Sequence, residues 1–267
     1  MLYLQHFSLA RLPFRAAVPP SRLFEHKAAL EARARLQHLL RLRGIGLLTG
    51  EVGCGKTTAC RQVLDGLPPG THRVCYVALT TGSVLDTYQA IAWELGLAPE
   101  RTRAAAYRAI RAEISRLAGE ARQLPVLVID EAQYLRREVL TDLRLLTNFN
   151  MDSEQRLCLL LVGLTVLRRR LRMGTHESLA QRIAVRHHLG GLEPEELEPW
   201  LQHHLRLAGC ESPLFEPEAA ATLFEQSRGL PRQVNRIAHY ALAAAAVDKA
   251  GRVAPRHVLQ AGAEVQP

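Results

Sequence analysis

The sequence is poor in aromatic residues, in lysine and in long apolar runs. Aromatic residues make up 5% of the 267 residues, and the only lysines are Lys27, Lys56 and Lys249. No apolar run approaches the roughly 20 residues that a membrane-spanning helix needs. The start of the chain also lacks the apolar stretch and cleavage site of a signal peptide. We therefore expect no membrane partner.

Cysteine is also scarce. The five cysteines are scattered along the chain, with no C-x-x-C pair and no spacing typical of metal ligands. Such a set is typical of reduced thiols in a cytoplasmic protein. We therefore expect a cytoplasmic location and no cysteine-based metal site.

The charge is unbalanced toward arginine. The formal net charge is +8, and because lysine is rare nearly all of the positive charge is arginine. Arginine-rich chains suit polyanions such as nucleic acid, since each phosphate contact releases counterions. The alternative is a soluble surface whose arginine reflects the codon usage of a GC-rich genome, and charge alone does not separate the two.

A glycine-rich stretch follows a short apolar segment and precedes a segment that favours a helix. It has the P-loop pattern Gly-x-x-x-x-Gly-Lys-Thr, formed by Gly50, Glu51, Val52, Gly53, Cys54, Gly55, Lys56 and Thr57. Such a loop turns backbone N–H groups toward phosphate oxygens, and the helix N-terminus adds partial positive charge. We predict that these residues and Thr58 bind ATP, with Lys56 on the β- and γ-phosphates and Thr57 on Mg²⁺. The alternative is a chance glycine-rich turn.

Two acidic residues follow a continuous apolar segment, 124–129. In P-loop nucleotidases the first acid at such a strand end binds Mg²⁺, which is the role we predict for Asp130. The second, Glu131, is expected to polarise the attacking water as a general base. A strand that ends in Asp-Glu by chance is the alternative, and the upstream P-loop argues against it.

Strand-like and helix-like segments alternate as far as residue 191, and only helices follow. We predict strands at 45–49, 74–79, 124–131, 157–163 and 184–189, and helices at 25–43, 57–64, 84–95, 99–118, 134–148, 194–208, 217–227, 231–249 and 255–262. This alternation predicts an α/β fold with a parallel sheet whose ligands bind at the strand C-terminal ends. We expect an irregular N-terminal arm at 1–24, an α/β domain at 25–191 and a helical domain at 192–267.

Three weaker signals lie outside these two motifs. Thr165 follows the fourth strand, where a polar residue can sense the γ-phosphate. The arginine-rich run 168–172 indicates either a solvated helix face or a contact with DNA or another subunit. The arm residues Pro13 and Phe14 pack on the core or line an adenine pocket, and the residues alone leave both open.

The P-loop, Asp130-Glu131 and the C-terminal helices together resemble an AAA+ ATPase. The chain further resembles the family named after the secretion pathway ATPase ExeA. That family includes stand-alone ATPases encoded with transposases, related to the TnsC, TniB and MuB regulators. The matching stretches are 12–14, 47–58, 128–133, 179–185 and 229–236. The resemblance implies an AAA+ fold of three layers, with a five-stranded parallel sheet, a C-terminal helical lid, and ATP and Mg²⁺ as ligands.

The resemblance also implies roles for residues outside the two motifs. Pro231 and Arg232 would approach the nucleotide from the lid, with Arg232 as the sensor-2 arginine at the γ-phosphate. Arg182 would be an arginine finger that completes a neighbouring subunit's site, with Arg186 as a second candidate, and this implies a ring or filament. A local salt bridge is the alternative for Arg182. The family often has Gly-Gln-Pro after strand four, where this chain has Gly-Leu-Thr ending at Thr165.

We expect an ATP-dependent regulator of DNA transposition that assembles on duplex DNA and recruits a transposase. DNA contacts would be mostly to phosphates and independent of sequence. Their candidates, chosen from position after strand two, are Thr80, Thr81, Ser83, Arg101 and Arg103. The alternatives are an ATPase of a secretion or envelope-assembly system, and a signalling or defence switch without DNA.

Overall fold

The computed structural model describes residues 2–15, 18–78 and 82–265. Contacts divide the chain into two compact units. One, called here the helical unit, contains Met1–Leu30, Val52–Gly55 and Gly190–Pro267. The other, called the α/β unit, contains Glu31–Glu51 and Lys56–Leu189. The boundary at Gly190 lies next to the one expected at residue 191, but residues 25–30 and 52–55, expected in the α/β domain, belong to the helical unit.

The α/β unit is built on a parallel sheet. Its strands are β1 (Ile45–Gly50), β2 (His72–Val77), β3 (Leu124–Ile129), β4 (Cys158–Gly163) and β5 (Ile183–Leu189). They form one five-stranded sheet in the order β2-β3-β4-β1-β5, with every pairing parallel. The predicted five-stranded parallel sheet is therefore confirmed. The order brings the C-terminal ends of β1 and β3 to the two sides of β4.

The burial of each strand follows its place in the sheet. Every residue of β1, β3 and β4 is buried, because helices cover both faces of a parallel sheet and leave no polar side. The outer strands β2 and β5 alternate between buried and exposed positions. The continuous apolar runs in the sequence thus mark the three central strands.

The helices are α1 (Leu2–His6), α2 (Lys27–Leu42), α3 (Lys56–Leu64), α4 (Val84–Leu95), α5 (Arg103–Gly119), α6 (Arg137–Leu146), α7 (Thr165–Leu171), α8 (Glu177–Ala180), α9 (Pro194–Leu207), α10 (Pro217–Ser227), α11 (Pro231–Val247) and α12 (Pro255–Val265). In the α/β unit, α4 to α6 pack on one face of the sheet and form its main core. On the other face Leu39 of α2 packs against Gly46 of β1.

Two predicted helix starts were wrong. The helix expected from residue 99 begins at Arg103, because the Thr102 hydroxyl caps it by accepting from the Ala105 N–H at 3.2 Å. The helix expected from 134 is preceded by a 3-10 turn, Ala132–Tyr134, and α6 begins only at Arg137. Ser83 caps α4 in a reciprocal capping box with Asp86.

The helical unit has a core of its own, formed by α1 and α9 to α12. The prediction that residues 1–24 form an irregular arm was wrong in part. This segment contains the helix α1 and a 3-10 turn at Pro20–Arg22. Tyr3 and Phe7 lie one turn apart and are both buried in this core. The Tyr3 hydroxyl also hydrogen-bonds His239 at 2.9 Å. Apolar burial therefore orders a segment whose prolines indicated a loop.

No helix in the part of the chain that the structure describes is long and apolar enough to cross a membrane. The five cysteines are free thiols, and all except the half-buried Cys210 are buried.

Candidate functional site

The P-loop lies between β1 and α3. Gly53 and Gly55 have φ of 83° and 100°, a left-handed backbone that glycine adopts without a steric penalty. Lys56 is buried, and its ammonium donates to the carbonyl oxygens of Gly50 at 3.0 Å and Glu51 at 2.9 Å. The lysine is therefore held beneath the loop by the loop's own backbone.

Asp130 follows β3 and is the acceptor at the centre of a hydrogen-bond cluster. Its Oδ2 accepts from the Thr57 hydroxyl at 3.0 Å and from the Tyr76 hydroxyl at 2.7 Å, and its Oδ1 accepts from the Glu131 N–H at 2.8 Å. A hydroxyl and a carboxylate oxygen side by side are the hard ligands that Mg²⁺ prefers. The two predicted metal ligands, Thr57 and Asp130, thus come together, and their donor set fits this ion.

Tyr76 is a site residue that the sequence analysis missed. It lies on the outer strand β2, which pairs with β3 in a register that sets Tyr76 opposite Val128, two residues before Asp130. Partial burial of the Tyr76 phenol, followed by its hydrogen bond to Asp130, raises the pKa of the phenol, so the phenol stays a donor. Only the strand order, which the sequence did not reveal, makes the two residues neighbours.

The thiol of Cys60 on α3 also lies near this cluster. Burial is the main cause that raises its pKa to about 12, and the Asp130 charge adds to the effect. The thiol is therefore neutral at physiological pH and acts as a packing group.

Glu131 is exposed and has a left-handed backbone with φ 51°. The side-chain amide of Gln133, a second missed residue, donates to its Oε2 at 2.5 Å. The predicted sensor Thr165 begins α7, and its hydroxyl donates to Oε1 of the P-loop residue Glu51 at 2.6 Å. The end of β4 is thus linked directly to the P-loop, and the role of Thr165 as a sensor stays a prediction.

Arg182 lies in a bidentate ion pair with Asp152, and one of its two contacts, Nη1 to Oδ1, is 2.7 Å long. Asp152 belongs to a loop in which it, Asn150 and Met151 all have positive φ. The local salt bridge that the sequence left as an alternative is therefore present. A finger role in a neighbouring molecule stays a prediction.

The predicted lid residues Pro231 and Arg232 begin α11. Arg232 is exposed, and its backbone N–H donates to the Gly53 carbonyl at 3.2 Å. A Cβ built on Gly53 would lie 2.7 Å from the Arg232 Cβ. Both residues belong to the helical unit, and the close approach explains why the loop needs glycine at this position.

The predicted adenine-pocket residues Pro13 and Phe14 pack within the helical unit. The Pro13 carbonyl accepts from Nδ1 of His204 at 3.1 Å, and the Phe14 ring lies edge-on to Phe215. Burial lowers the pKa of His204 to about 4. The packing alternative for these two residues is realised, and their contact with adenine stays a prediction.

The predicted DNA contacts fall into three groups. Thr80 and Thr81 lie outside the described residues. Ser83 caps α4, and Arg103 binds the buried Asp142 through two hydrogen bonds of 2.7 and 2.5 Å, so both have structural roles. Arg101 is exposed.

The arginine-rich run on α7 is divided between two environments. Arg170 turns inward and donates to the backbone carbonyls of Gln133 and Leu135. Arg168 and Arg172 are exposed and line a cavity of about 550 Å³ together with Arg186. The solvated-face alternative therefore describes part of the run and not Arg170.

The chain is similar in sequence to known proteins. The AAA domain family model matches residues 39–171. The chain is 37% identical over 248 residues to general secretion pathway protein A of Aeromonas hydrophila, a match that covers 91% of this chain and 45% of that protein. The chain thus spans less than half the length of this curated relative.

Two solved structures share the fold at low identity. Cdc6p from Pyrobaculum aerophilum matches with a TM-score of 0.71 and 18% identity, over 95% of this chain and 70% of that one. The Aeropyrum pernix ORC1 protein in complex with DNA matches with a TM-score of 0.68 and 19% identity, over 95% of this chain and 68% of that one.

Proposed function

Because the chain belongs to the AAA+ ATPases, we propose that it is an ATP-dependent DNA-binding regulator of DNA transposition. ATP binding drives its self-association, as a ring or filament, on duplex DNA, where it recruits or activates a transposase. The observation that carries the ATP-driven part is the joining of Thr57, Asp130 and Glu131 at one strand end beside the buried Lys56.

Each residue of the site has a separate role in the hydrolysis of ATP. Lys56 leaves its carbonyl partners to neutralise the β- and γ-phosphates, whose charged oxygens are stronger acceptors. Thr57 and Asp130 would hold Mg²⁺, which supplies charge neutralisation of the phosphates when bound. Glu131 accepts a proton from the water that attacks the γ-phosphorus, and ADP and phosphate are released. Arg232 senses the γ-phosphate from the lid.

Four observations support DNA as the partner. The net charge is +8, which favours polyanions through counterion release. Three arginines are exposed: Arg101, just before α5, and Arg168 and Arg172 on α7. The structural relative from Aeropyrum pernix is itself described in complex with DNA, and the reduced cysteines fit a cytoplasmic location where DNA is present.

A second candidate is the ATPase of a secretion or envelope-assembly system. The observation that favours it is the 37% identity to general secretion pathway protein A, which extends over 91% of this chain. The ATPase chemistry is the same in both candidates, so only the partner distinguishes them.

Fluorescence anisotropy with labelled random-sequence duplex DNA tests the proposal. The chain is titrated with and without ATP over a series of salt concentrations, and Lys56→Ala is the control. We expect binding that needs ATP, weakens steeply with salt and is lost in Lys56→Ala. An intact ATPase that binds no DNA even at low salt would exclude the DNA role and favour the secretion system.

A further inference from the structure

The 3-10 turn after β3 places a buried amide next to the exposed candidate base. We propose that Gln133 is a positioning residue, which holds the Glu131 carboxylate where it meets the attacking water. This inference rests on the proposed base role of Glu131. In this role Gln133 acts only through Glu131.

The contrast in burial between the two side chains supports this role. Gln133 is 6% exposed, whereas Glu131 is exposed. The amide nitrogen Nε2 of Gln133 donates to Oε2 of Glu131 at 2.5 Å. The exposed carboxylate of Glu131 is therefore held by a hydrogen bond from the buried side chain of Gln133. Hydrogen bonds from rigid supporting groups orient reactive side chains in this way.

The direction of the amide is set by a second partner. The backbone N–H of Leu164, just after β4, donates to Oε1 of Gln133 at 3.0 Å. An N–H can be paired only with the amide oxygen, so the NH₂ group must face Glu131. Gln133 thus offers the carboxylate a donor and not an acceptor.

The turn that carries Gln133 is fixed from two sides. Arg170 of α7 donates to the backbone carbonyls of Gln133 and Leu135. Gly163 lies so close that a Cβ built there would be 2.7 Å from Oε1 of Gln133. Because Gly163 has no side chain, the Gln133 amide fits beside it. The end of β4 thus fixes the position of the Gln133 amide and, through this amide, the direction of the Glu131 carboxylate.

Three variants of the full chain isolate this role. Gln133→Glu keeps the size and the acceptor for Leu164 but sets a second carboxyl group against Glu131, so that the two carboxyls share a proton and Glu131 becomes a poorer base. Gln133→Leu loses both the donor to Glu131 and the acceptor for Leu164 without adding a charge. Gln89→Glu is the matched control, since the half-buried Gln89 amide donates to the backbone carbonyl of Glu100 away from the site. Steady-state ATP hydrolysis, binding of a fluorescent ATP analogue and thermal melting are measured for each.

We expect Gln133→Glu to lower kcat about ten- to a hundredfold, within the range that general-base catalysis contributes in total. KM and analogue affinity should stay close to those of the parent and of Gln89→Glu, whereas the melting temperature of Gln133→Glu should fall because its added carboxyl group is buried beside Glu131. Adding Gln133→Glu to Glu131→Gln should cause no further loss, because the residue acts through Glu131.

Two results would overturn the inference. One is an unchanged kcat in Gln133→Glu while Glu131→Gln abolishes hydrolysis, which leaves the base role intact. The other is a loss of analogue affinity in Gln133→Glu that parallels the loss of kcat, which would make Gln133 structural. If Glu131→Gln alone hydrolyses ATP at the parent rate, the base role itself fails, and the single variant shows this separately.

Discussion

At the scale of single residues, Asp130 gathers hydrogen bonds from Thr57, Tyr76 and the Glu131 backbone. The sequence predicted Thr57, Asp130 and Glu131 because each belongs to a motif with fixed spacing. Tyr76 belongs to no motif, and it meets Asp130 only through the β2–β3 register. Motif residues are thus predictable from sequence, whereas the groups that orient them depend on strand order.

Tyr76→Phe removes one donor from Asp130 and leaves the ring in place. Supporting hydrogen bonds around metal ligands typically affect metal affinity by about tenfold or more. We therefore expect the Mg²⁺ concentration for half-maximal ATP hydrolysis to rise by up to about tenfold, measured by titrating Mg²⁺ at saturating ATP. Tyr240→Phe, at a similarly exposed tyrosine of the helical unit, is the control. An unchanged Mg²⁺ requirement would argue against this role of Tyr76.

At the scale of elements, the start of α5 shows how a contact changes an interpretation. Arg103 was a candidate for DNA binding by position, but it pairs with Asp142, which is 3% exposed and also accepts from the Tyr88 hydroxyl at 3.0 Å. A buried carboxylate needs such partners. The pairing joins α5 to α6, and no sequence pattern indicated it because the two residues belong to different helices.

Arg103→Gln should therefore destabilise the α/β unit. Because Arg103 is largely exposed and Tyr88 still donates to Asp142, we expect a loss of about 1–3 kcal/mol in the free energy of unfolding. Arg101→Gln, at an exposed position two residues earlier, should leave stability within about 0.5 kcal/mol. Urea unfolding measures the free energy of unfolding of both variants. Equal stabilities would contradict the structural role of Arg103 and leave it a candidate for DNA binding.

His204 on α9 makes the stability of the helical unit depend on pH. Burial lowers its pKa from 6.5 to about 4. Between about pH 4 and pH 6.5 the His204 imidazole is therefore protonated in the unfolded chain and neutral in the folded chain. Stability is therefore full above about pH 6.5 and falls as the pH drops toward 4. His204→Phe should flatten this fall in unfolding experiments, and His38→Gln, at an exposed histidine of α2, should not. An unaltered pH dependence in His204→Phe would contradict the assignment.

At the scale of the whole molecule, the sequence predicted one α/β domain and one helical domain. The structure has an α/β unit and a helical unit, and the helical unit also contains Met1–Leu30 and Val52–Gly55. The continuous apolar strands and the proline-initiated helices made this prediction possible. The N-terminal arm could not be assigned correctly, because α1 forms where Tyr3 and Phe7 meet a core built from residues far along the chain.

In the proposed function, one nucleotide site controls how tightly the chain binds DNA. If so, the chain should release DNA when ATP is hydrolysed, and a variant that binds ATP without hydrolysing it should not. Glu131→Gln retains Lys56, Thr57 and Asp130 and removes only the base. It therefore separates nucleotide binding from hydrolysis.

The most direct measurement is the rate at which labelled duplex DNA leaves its complex after unlabelled competitor is added in the presence of Mg²⁺ and ATP. We expect Glu131→Gln to release DNA at least tenfold more slowly than the parent chain does. A general base contributes about 10²–10⁴ to the rate of hydrolysis, and release is expected to follow hydrolysis. The parent with a nonhydrolysable ATP analogue should match the slow variant. Equal release rates for all three complexes would contradict the claim that this site controls DNA binding.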